Sequence, residues 1–314
     1  MNKQETIENR LAQHSYLTDG GLETTLVFVQ GRELPHFAAF PLLESEEGRA
    51  ALTDYYLRYA RIAEAAGQGF IFEAPTWRAH PVWGEVMEYG SAGLDRINRQ
   101  AIDFMRGLRK QCAGNGVHLV SGCIGPRGDG YVADHTMDAE QAKQYHLPQV
   151  TSFAAAGADM ATAMTLNYAE EAVGVVLAGR EVDLPVVISF TTETDGRLPD
   201  GTALGDAINA VDQATGGGPV HYMINCAHPD HFDHALAQDA PWLSRLGGLR
   251  ANASRMSHEE LDNSEVLDDG DPQELGGQLL ALKRRLPCIR VLGGCCGTDH
   301  RHVSHMCDAT LKAQ

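Results

Sequence analysis

The chain has 314 residues, of which 43% are hydrophobic and 21% charged, with a formal net charge of −17 at pH 7. This excess of negative charge disfavours nucleic acids and anionic membrane surfaces as partners, because both would repel it. The segment Met1 to Arg10 is polar, and no run of about 18 apolar residues predicts a membrane span. The seven cysteines are an odd number, which indicates reduced thiols rather than a disulfide framework. We therefore expect a soluble, cytoplasmic protein.

Eight short apolar runs along the chain read as strands, and most of them end at small, polar or cysteine residues. In chain order, they are Ser15 to Thr18, Gly69 to Phe72, Val117 to Val120, Asp159 to Ala163, Pro185 to Ser189, Val220 to Ile224, Gly248 to Arg250 and Ile289 to Leu292.

Amphipathic stretches rich in alanine and leucine separate these runs and read as helices. They are Glu46–Ala66, Leu94–Cys112, Ala139–Ala156, Glu170–Gly179, Leu204–Ala214, His231–Ala237, Pro272–Leu286 and His300–Lys312. Strands and helices in strict alternation imply parallel pairing through crossover helices. Eight such units predict one α/β domain over residues 1–314, a single (β/α)8 TIM barrel whose chemistry lies where strands end and helices begin. A long segment after the first strand, Val27 to Glu44, is expected to form part of a lid.

The run Gly293-Gly294-Cys295-Cys296-Gly297-Thr298 follows the eighth predicted strand, and Cys226 follows the sixth. Glycine lets the backbone turn tightly and approach a ligand closely, so both sulfurs of the run can point to one place. Three cysteine sulfurs at neighbouring strand ends predict an open zinc site on Cys226, Cys295 and Cys296, with one position left for a substrate.

Three thiolates make zinc electron-rich and a poor activator of water, but a good partner for a fourth sulfur. A substrate thiol bound there would lose its proton and stay nucleophilic, so alkyl transfer to sulfur is the natural reaction. The expected partners are therefore a small thiol and a small donor of an alkyl group. Two other functions stay open, a non-catalytic barrel that responds to metal or redox state and a metal-dependent hydrolase or lyase. A homo-oligomer also stays open.

The remaining residues of chemical interest have simpler interpretations. We expect the four other cysteines to be small buried hydrophobes: Cys112, Cys123, Cys288 and Cys307. His231 and His234 are expected on the solvated surface, like the histidines at 300, 302 and 305, and His228 is expected in the pocket as a neighbour of Cys226. An aromatic wall for a cationic donor is one interpretation of Trp77, Trp83 and Tyr89, and ordinary packing is the other.

Taken with their spacing, these motifs resemble the homocysteine S-methyltransferase family over about residues 17–306. The resemblance is carried by Asp19-Gly20-Gly21, Gly122-Cys123-Ile124-Gly125-Pro126, Asn225-Cys226, Asn252 and the run from Gly293 to Gly297. It implies zinc on the three cysteines, with the thiolate of homocysteine as fourth ligand and a small methyl donor as the second substrate. It also implies that Asp19 lies near the substrate ammonium and that the backbone of Gly20 and Gly21 contacts the substrate. Asn225 and Asn252 would support the site through hydrogen bonds.

One position departs from the family pattern. Members that use homocysteine have a Glu-Thr pair after the fourth strand, where this chain has Met164-Thr165. The departure removes a carboxylate that would hold the substrate ammonium. Either Glu73, in the loop after the second strand, replaces that charge beside Thr165, or the pocket serves another thiol.

Overall fold

A computed structural model of the chain describes residues 3–112, 117–134, 136–237 and 239–307. Its eight parallel strands follow one another around a closed barrel in chain order. They are β1 (Tyr16–Leu17), β2 (Gly69–Glu73), β3 (Leu119–Ile124), β4 (Met160–Leu166), β5 (Val186–Phe190), β6 (Tyr222–Asn225), β7 (Leu246–Ala251) and β8 (Val291–Gly294). The prediction of a (β/α)8 barrel is confirmed.

Within the residues that the structure describes, one helix precedes the barrel and one further helix packs after each of the eight strands. They are α1 (Lys3–Gln13), α2 (Glu46–Ala65), α3 (Ser91–Arg109), α4 (Ala139–Ala155), α5 (Ala169–Glu181), α6 (Leu204–Thr215), α7 (Pro229–Leu236), α8 (Pro272–Arg285) and α9 (His300–His305). Shorter helical segments occupy the loops, namely Leu22–Thr24, Thr25–Val29, Pro35–Phe37, Phe40–Glu44, Pro81–Val86, Pro241–Arg245 and His258–Asp262. Among the described residues, no helix is both long and apolar enough to cross a bilayer.

The predicted elements all exist, and the differences lie at their ends. Helix α7 begins at Pro229, two residues earlier than expected, because His228 caps it by accepting a hydrogen bond from the Asp230 amide at Nδ1. Helix α9 ends at His305, and residues 308–312 of its predicted range lie outside the described residues.

Apolar side chains fill the barrel and the layer between strands and helices, as in other barrels of parallel strands. Helix α1 closes the end opposite the carboxyl termini of the strands. Its Ile7 and Leu11, four residues apart and so on one helix face, pack in one buried cluster with Tyr16, Met160 and Met223. The opposite end of the barrel is thereby left for the polar residues that follow the strands.

Candidate metal and substrate site

A cavity of about 410 Å³ opens at the carboxyl ends of the strands. Its lining includes residues from most of the strand ends, among them Asp19, Gly20, Gly21, Glu23, Glu73, Trp77, Arg78, Cys123, Tyr131, Met164, Thr165, Asn225, Cys226, Arg250, Cys295 and Cys296. Of the ten residues predicted to form the site, only Asn252 is outside this lining. Phe28 and Phe37, from or beside the helical turns of the expected lid segment, cover part of the cavity.

Three cysteine sulfurs meet in this cavity. Cys226 directly follows β6, and Cys295 and Cys296 directly follow β8, so both groups flank the end of β7. The Sγ atoms of the three residues all lie within 4.8 Å of one another. Cys226 has a φ of 54°, a left-handed conformation that non-glycine residues rarely adopt. This backbone turn is held by tertiary contacts, as is common at functional sites.

Cys226 and Cys295 are paired as a disulfide in this structure, with Cα atoms 5.4 Å apart. The expectation that all the cysteines are reduced therefore fails for this pair. Its partners lie 69 residues apart in sequence, and only barrel closure brings them together. The adjacent residues Cys295 and Cys296 are not bonded to each other, and among the described residues Cys112, Cys123 and Cys288 also lie outside any disulfide.

The three sulfurs fit a soft metal ion when all are reduced. Tetrahedral zinc with Zn–S bonds of about 2.3 Å needs sulfurs roughly 3.8 Å apart. The three observed sulfurs all lie within 4.8 Å of one another, so small movements on reduction would give this spacing. Burial raises the pKa of the Cys296 thiol to about 11, so at neutral pH it needs a bound cation to become a thiolate. The arrangement supports a metal site with three protein ligands.

Hydrogen bonds from buried amides hold the backbone around Cys226. The Oδ1 of Asn225 accepts from the Thr165 amide at 2.8 Å and from the Ser189 hydroxyl at 2.6 Å, while its Nδ2 donates to the Thr165 hydroxyl. The Nδ2 of Asn252 donates to the Cys226 carbonyl at 3.0 Å. Asn225 and Asn252 thus lie where a supporting role requires, and Thr165, with a φ of 62°, is fixed beside them.

Gly21 allows the loop after β1 to approach the cysteine loop closely. A Cβ atom at this position would lie 2.6 Å from the carbonyl oxygen of Cys295, so any side chain would force the two loops apart. The Gly21 amide donates to the Thr298 carbonyl at 3.0 Å. Gly20 and Gly21 therefore line the cavity and also set the position of the sulfur ligands.

Asp19 lines the cavity, but its carboxylate is already paired. Its Oδ1 accepts from Arg250 Nη2 at 2.7 Å, and its Oδ2 accepts from the Tyr55 hydroxyl at 3.1 Å. Burial alone would lower the pKa of Arg250. The nearby carboxylates of Asp19 and Glu73 outweigh the effect of burial, so the pKa of Arg250 is raised above its usual value. The negative charge of Asp19 is balanced by Arg250, so this residue is a weak attractor for a substrate ammonium.

Glu73 offers a less occupied carboxylate. It ends β2 and is 4% exposed; its Oε1 accepts from the Thr162 hydroxyl at 2.9 Å, while its Oε2 is buried with no described partner. Burial raises the pKa of Glu73 to about 7, although Arg250 and two hydroxyl groups work in the opposite direction. A cationic group entering the cavity would find here a carboxylate oxygen that has no described hydrogen-bond partner.

The sequence did not single out several residues that shape the cavity. The Tyr131 hydroxyl lies 3.8 Å from Cys296 Sγ, and its ring stacks on His258, whose Nε2 contacts the Cys226 carbonyl at 2.7 Å. Arg250 could have been recognised from the sequence, since a charged residue inside an otherwise apolar barrel strand needs a buried partner. Tyr131 and His258 come from loops and carried no such signal. Cys123, expected as a simple hydrophobe, lines the cavity as well.

Three expectations about histidines were wrong. His231 is only 9% exposed, because its Nε2 makes a hydrogen bond with the Arg255 carbonyl. His302 is fully buried and caps α9 together with Asp299. His228 is buried at the start of α7 and is not part of the cavity lining.

The expected aromatic wall does not form as a unit. Trp77 lines the cavity, but Trp83 and Tyr89 do not. Trp83 contacts the guanidinium of Arg78, and the Tyr89 hydroxyl donates to Glu44. The three residues share a loop region but face different surroundings, so ordinary packing explains Trp83 and Tyr89.

Solved structures of Escherichia coli homocysteine methyltransferase MmuM are similar to this fold. The oxidized form aligns with a TM-score of 0.74 at 20% identity, covering 98% of this chain and 99% of that chain. The metallated form gives 0.73 at 20% identity over 97% and 99%, and the apo form 0.64 at 22% identity over 96% of each chain. At this level of identity the likeness establishes the fold. No curated protein sequence matches the chain significantly.

The family model for homocysteine S-methyltransferases matches residues 16–310, which is nearly the whole chain. The match spans every strand of the barrel and all three clustered cysteines. This chain therefore belongs to the homocysteine S-methyltransferase family and is a methyltransferase.

Proposed function

We propose that the protein is a zinc-dependent S-methyltransferase. It moves a methyl group from a small sulfonium or ammonium donor to homocysteine or a related thiol, giving methionine or an analogue. The observation that carries this proposal is the cluster of Cys226, Cys295 and Cys296, whose sulfurs lie within 4.8 Å inside the cavity. Three soft ligands match a soft fourth ligand, the sulfur of the acceptor.

Zinc held by these three cysteines would supply a Lewis acid that favours the thiolate form of the acceptor. The Cys226–Cys295 pair must be reduced for this role, since only thiolates ligate zinc. The reaction forms a bond between the acceptor sulfur and the methyl carbon. It breaks the bond from that carbon to the donor heteroatom, which keeps the electron pair and loses its positive charge.

The other residues of the cavity act by holding the acceptor in line with the donor. In this proposal the Oε2 of Glu73 accepts a hydrogen bond from the substrate ammonium, in place of the family glutamate that Met164 replaces; its lack of a described partner inside the cavity supports this role. Asn225 and Thr165 fix the turn that presents Cys226, and Asn252 holds the carbonyl of the same residue. Such alignment contributes much of the rate when no further acid or base is needed.

Transfer of a labelled methyl group tests the proposal. The reduced, zinc-loaded protein is incubated with L-homocysteine and, in turn, with S-methylmethionine, another methylsulfonium and betaine, each labelled in the methyl group. We expect labelled methionine from at least one donor, and none from the Cys296→Ser variant. Cys288→Ser, at a half-buried cysteine before β8 and outside the cavity lining, is the matched control and should keep full activity. No transfer from any donor to homocysteine, with zinc bound at one ion per chain, would contradict the acceptor assignment.

A further inference from the structure

Arg78 lies in the loop after β2, five residues beyond Glu73, and lines the same cavity as the three cysteines. Its guanidinium carbon is 3.7 Å from the ring centroid of Trp83 and 4.7 Å from that of Trp77. The side chain is partly buried. These ring contacts hold the cation in place, but they satisfy none of its N–H donors in hydrogen bonds.

Within the described part of the chain, no carboxylate lies within 4.0 Å of Arg78 and no hydrogen bond involves its side chain. Its Nε is buried and has no partner. Burial lowers the pKa of Arg78, and Asp129 and Glu23 attract the cation only from beyond ion-pair distance. The other arginine of the cavity, Arg250, is by contrast fully paired with Asp19.

A partly buried, unpaired guanidinium is costly unless a ligand completes it, and a carboxylate is the anion that matches its fork of donors. We propose that Arg78 binds the carboxylate of an amino-acid substrate in this cavity. The inference rests on the proposed function, because it takes the ligand to be an amino acid bearing the thiol or the methyl donor. It deepens that function by assigning recognition of the carboxylate group.

The placement of Arg78 also accounts for the departure at Met164. Glu73 and Arg78 belong to one short segment and offer the cavity a carboxylate oxygen and a guanidinium, the complements of an ammonium and a carboxylate. Met164, on β4, is uncharged and can pair with neither the ammonium nor the carboxylate. On this assignment the ammonium partner has moved from the end of β4 to Glu73 at the end of β2, and Arg78, in the loop that follows, adds a partner for the carboxylate.

The carboxylate could belong to the acceptor or to the donor, and paired ligands separate the two. Isothermal titration of the zinc-loaded protein measures binding of L-homocysteine against 3-aminopropane-1-thiol, which lacks only the carboxylate. A second arm compares S-methyl-L-methionine with its decarboxylated analogue. Each ligand is titrated into the native protein, Arg78→Met and Arg78→Lys.

In one of the two arms, we expect Arg78→Met to weaken binding of the carboxylated ligand by about 10- to 100-fold. The affinity for its decarboxylated analogue should stay unchanged. Arg78→Lys, which keeps the charge but loses the fork, should give an intermediate loss. The arm in which this loss of affinity occurs shows whether Arg78 binds the carboxylate of the acceptor or that of the donor. Arg99→Met, at a half-exposed arginine on α3 that is paired with Asp95 and lies outside the cavity lining, is the control and should change neither arm.

Equal weakening of both members of each pair, or no change in any of the four ligands, would overturn the inference. Circular dichroism and zinc content show whether each variant is folded. If Arg78→Met does not fold, the loss of affinity in Arg78→Lys is the test of the inference. Carboxylate recognition that depends on Arg78 in a protein that transfers no methyl group would refute the proposed function alone. Methyl transfer with binding independent of Arg78 would refute this inference alone.

Discussion

Replacement of Glu73 by glutamine should make the ligand-free protein more stable at pH 8 and impair its function. Glu73 is buried at the end of β2, with one oxygen bonded to the Thr162 hydroxyl and the other without a described partner. A glutamine amide of the same shape keeps the bond from Thr162 and carries no charge. The variant therefore removes the buried charge while leaving the packing of the site in place.

The size of the effect follows from the pKa. Burial raises the pKa of Glu73 from 4.5 to about 7. At 1.36 kcal/mol per pKa unit, ionisation of this group costs the folded protein roughly 3 kcal/mol above pH 7. Between about pH 4.5 and pH 7 the folded state binds more protons than the unfolded state, so stability falls as pH rises through this window. Glu73→Gln has no carboxylate to ionise at this position, so its stability does not fall for this reason.

Thermal unfolding of zinc-loaded, ligand-free protein at pH 5 and pH 8 measures the difference. We expect the melting temperatures of the variant and the native protein to be close at pH 5. At pH 8 the variant should melt about 5 °C higher. Glu47→Gln is the control, because its side chain is 81% exposed and pays no such burial cost. An equal difference at both pH values, or a less stable variant at pH 8, would refute the reasoning.

The same variant should lose the interaction that the charge provides. Glu73 becomes protonated below about pH 7, so the affinity of the native protein for the homocysteine ammonium should fall as pH decreases. Titrations against 4-mercaptobutyrate, which lacks the ammonium, correct for ionisation of the thiol. The pH-dependent preference for homocysteine over this analogue should be absent in Glu73→Gln. If the variant retains it, another group holds the ammonium.

Three further predictions concern the metal site and its support. Cys296→Ser should reduce bound zinc from about one ion per chain to well below that by atomic absorption, whereas Cys288→Ser should bind zinc as the native protein does. Asn225→Ala removes three buried hydrogen bonds, which should lower zinc affinity by about 10- to 100-fold in a chelator competition. Unchanged affinity would show that these hydrogen bonds are not needed to position Cys226. Asp19→Ala leaves Arg250 buried without its partner and should cost about 3 kcal/mol in denaturant unfolding, and a native midpoint would contradict the importance of the pair.

Much of the site could be predicted because its residues stand at the ends of strands. In a closed parallel barrel all carboxyl ends meet on one face, so Cys226 and the cysteine pair had to be neighbours once the strands were assigned. The elements themselves follow from local periodicity, which the sequence displays directly. Tyr131 and His258 were missed because both lie in loops, whose course over the barrel mouth has no periodic signal.

The sequence by itself determined the barrel, the sulfur cluster and the family, because each depends on the order and local pattern of residues. Only the tertiary structure decided which charges remain available to a substrate. Asp19 reads as a substrate ligand, yet Arg250, 231 positions away, neutralises it across the barrel. Arg78 is flanked by two tryptophans and reads as an ordinary loop residue, yet its cation is left unpaired in the cavity. Pairing and burial of charge depend on three-dimensional neighbours, and these the local sequence does not encode.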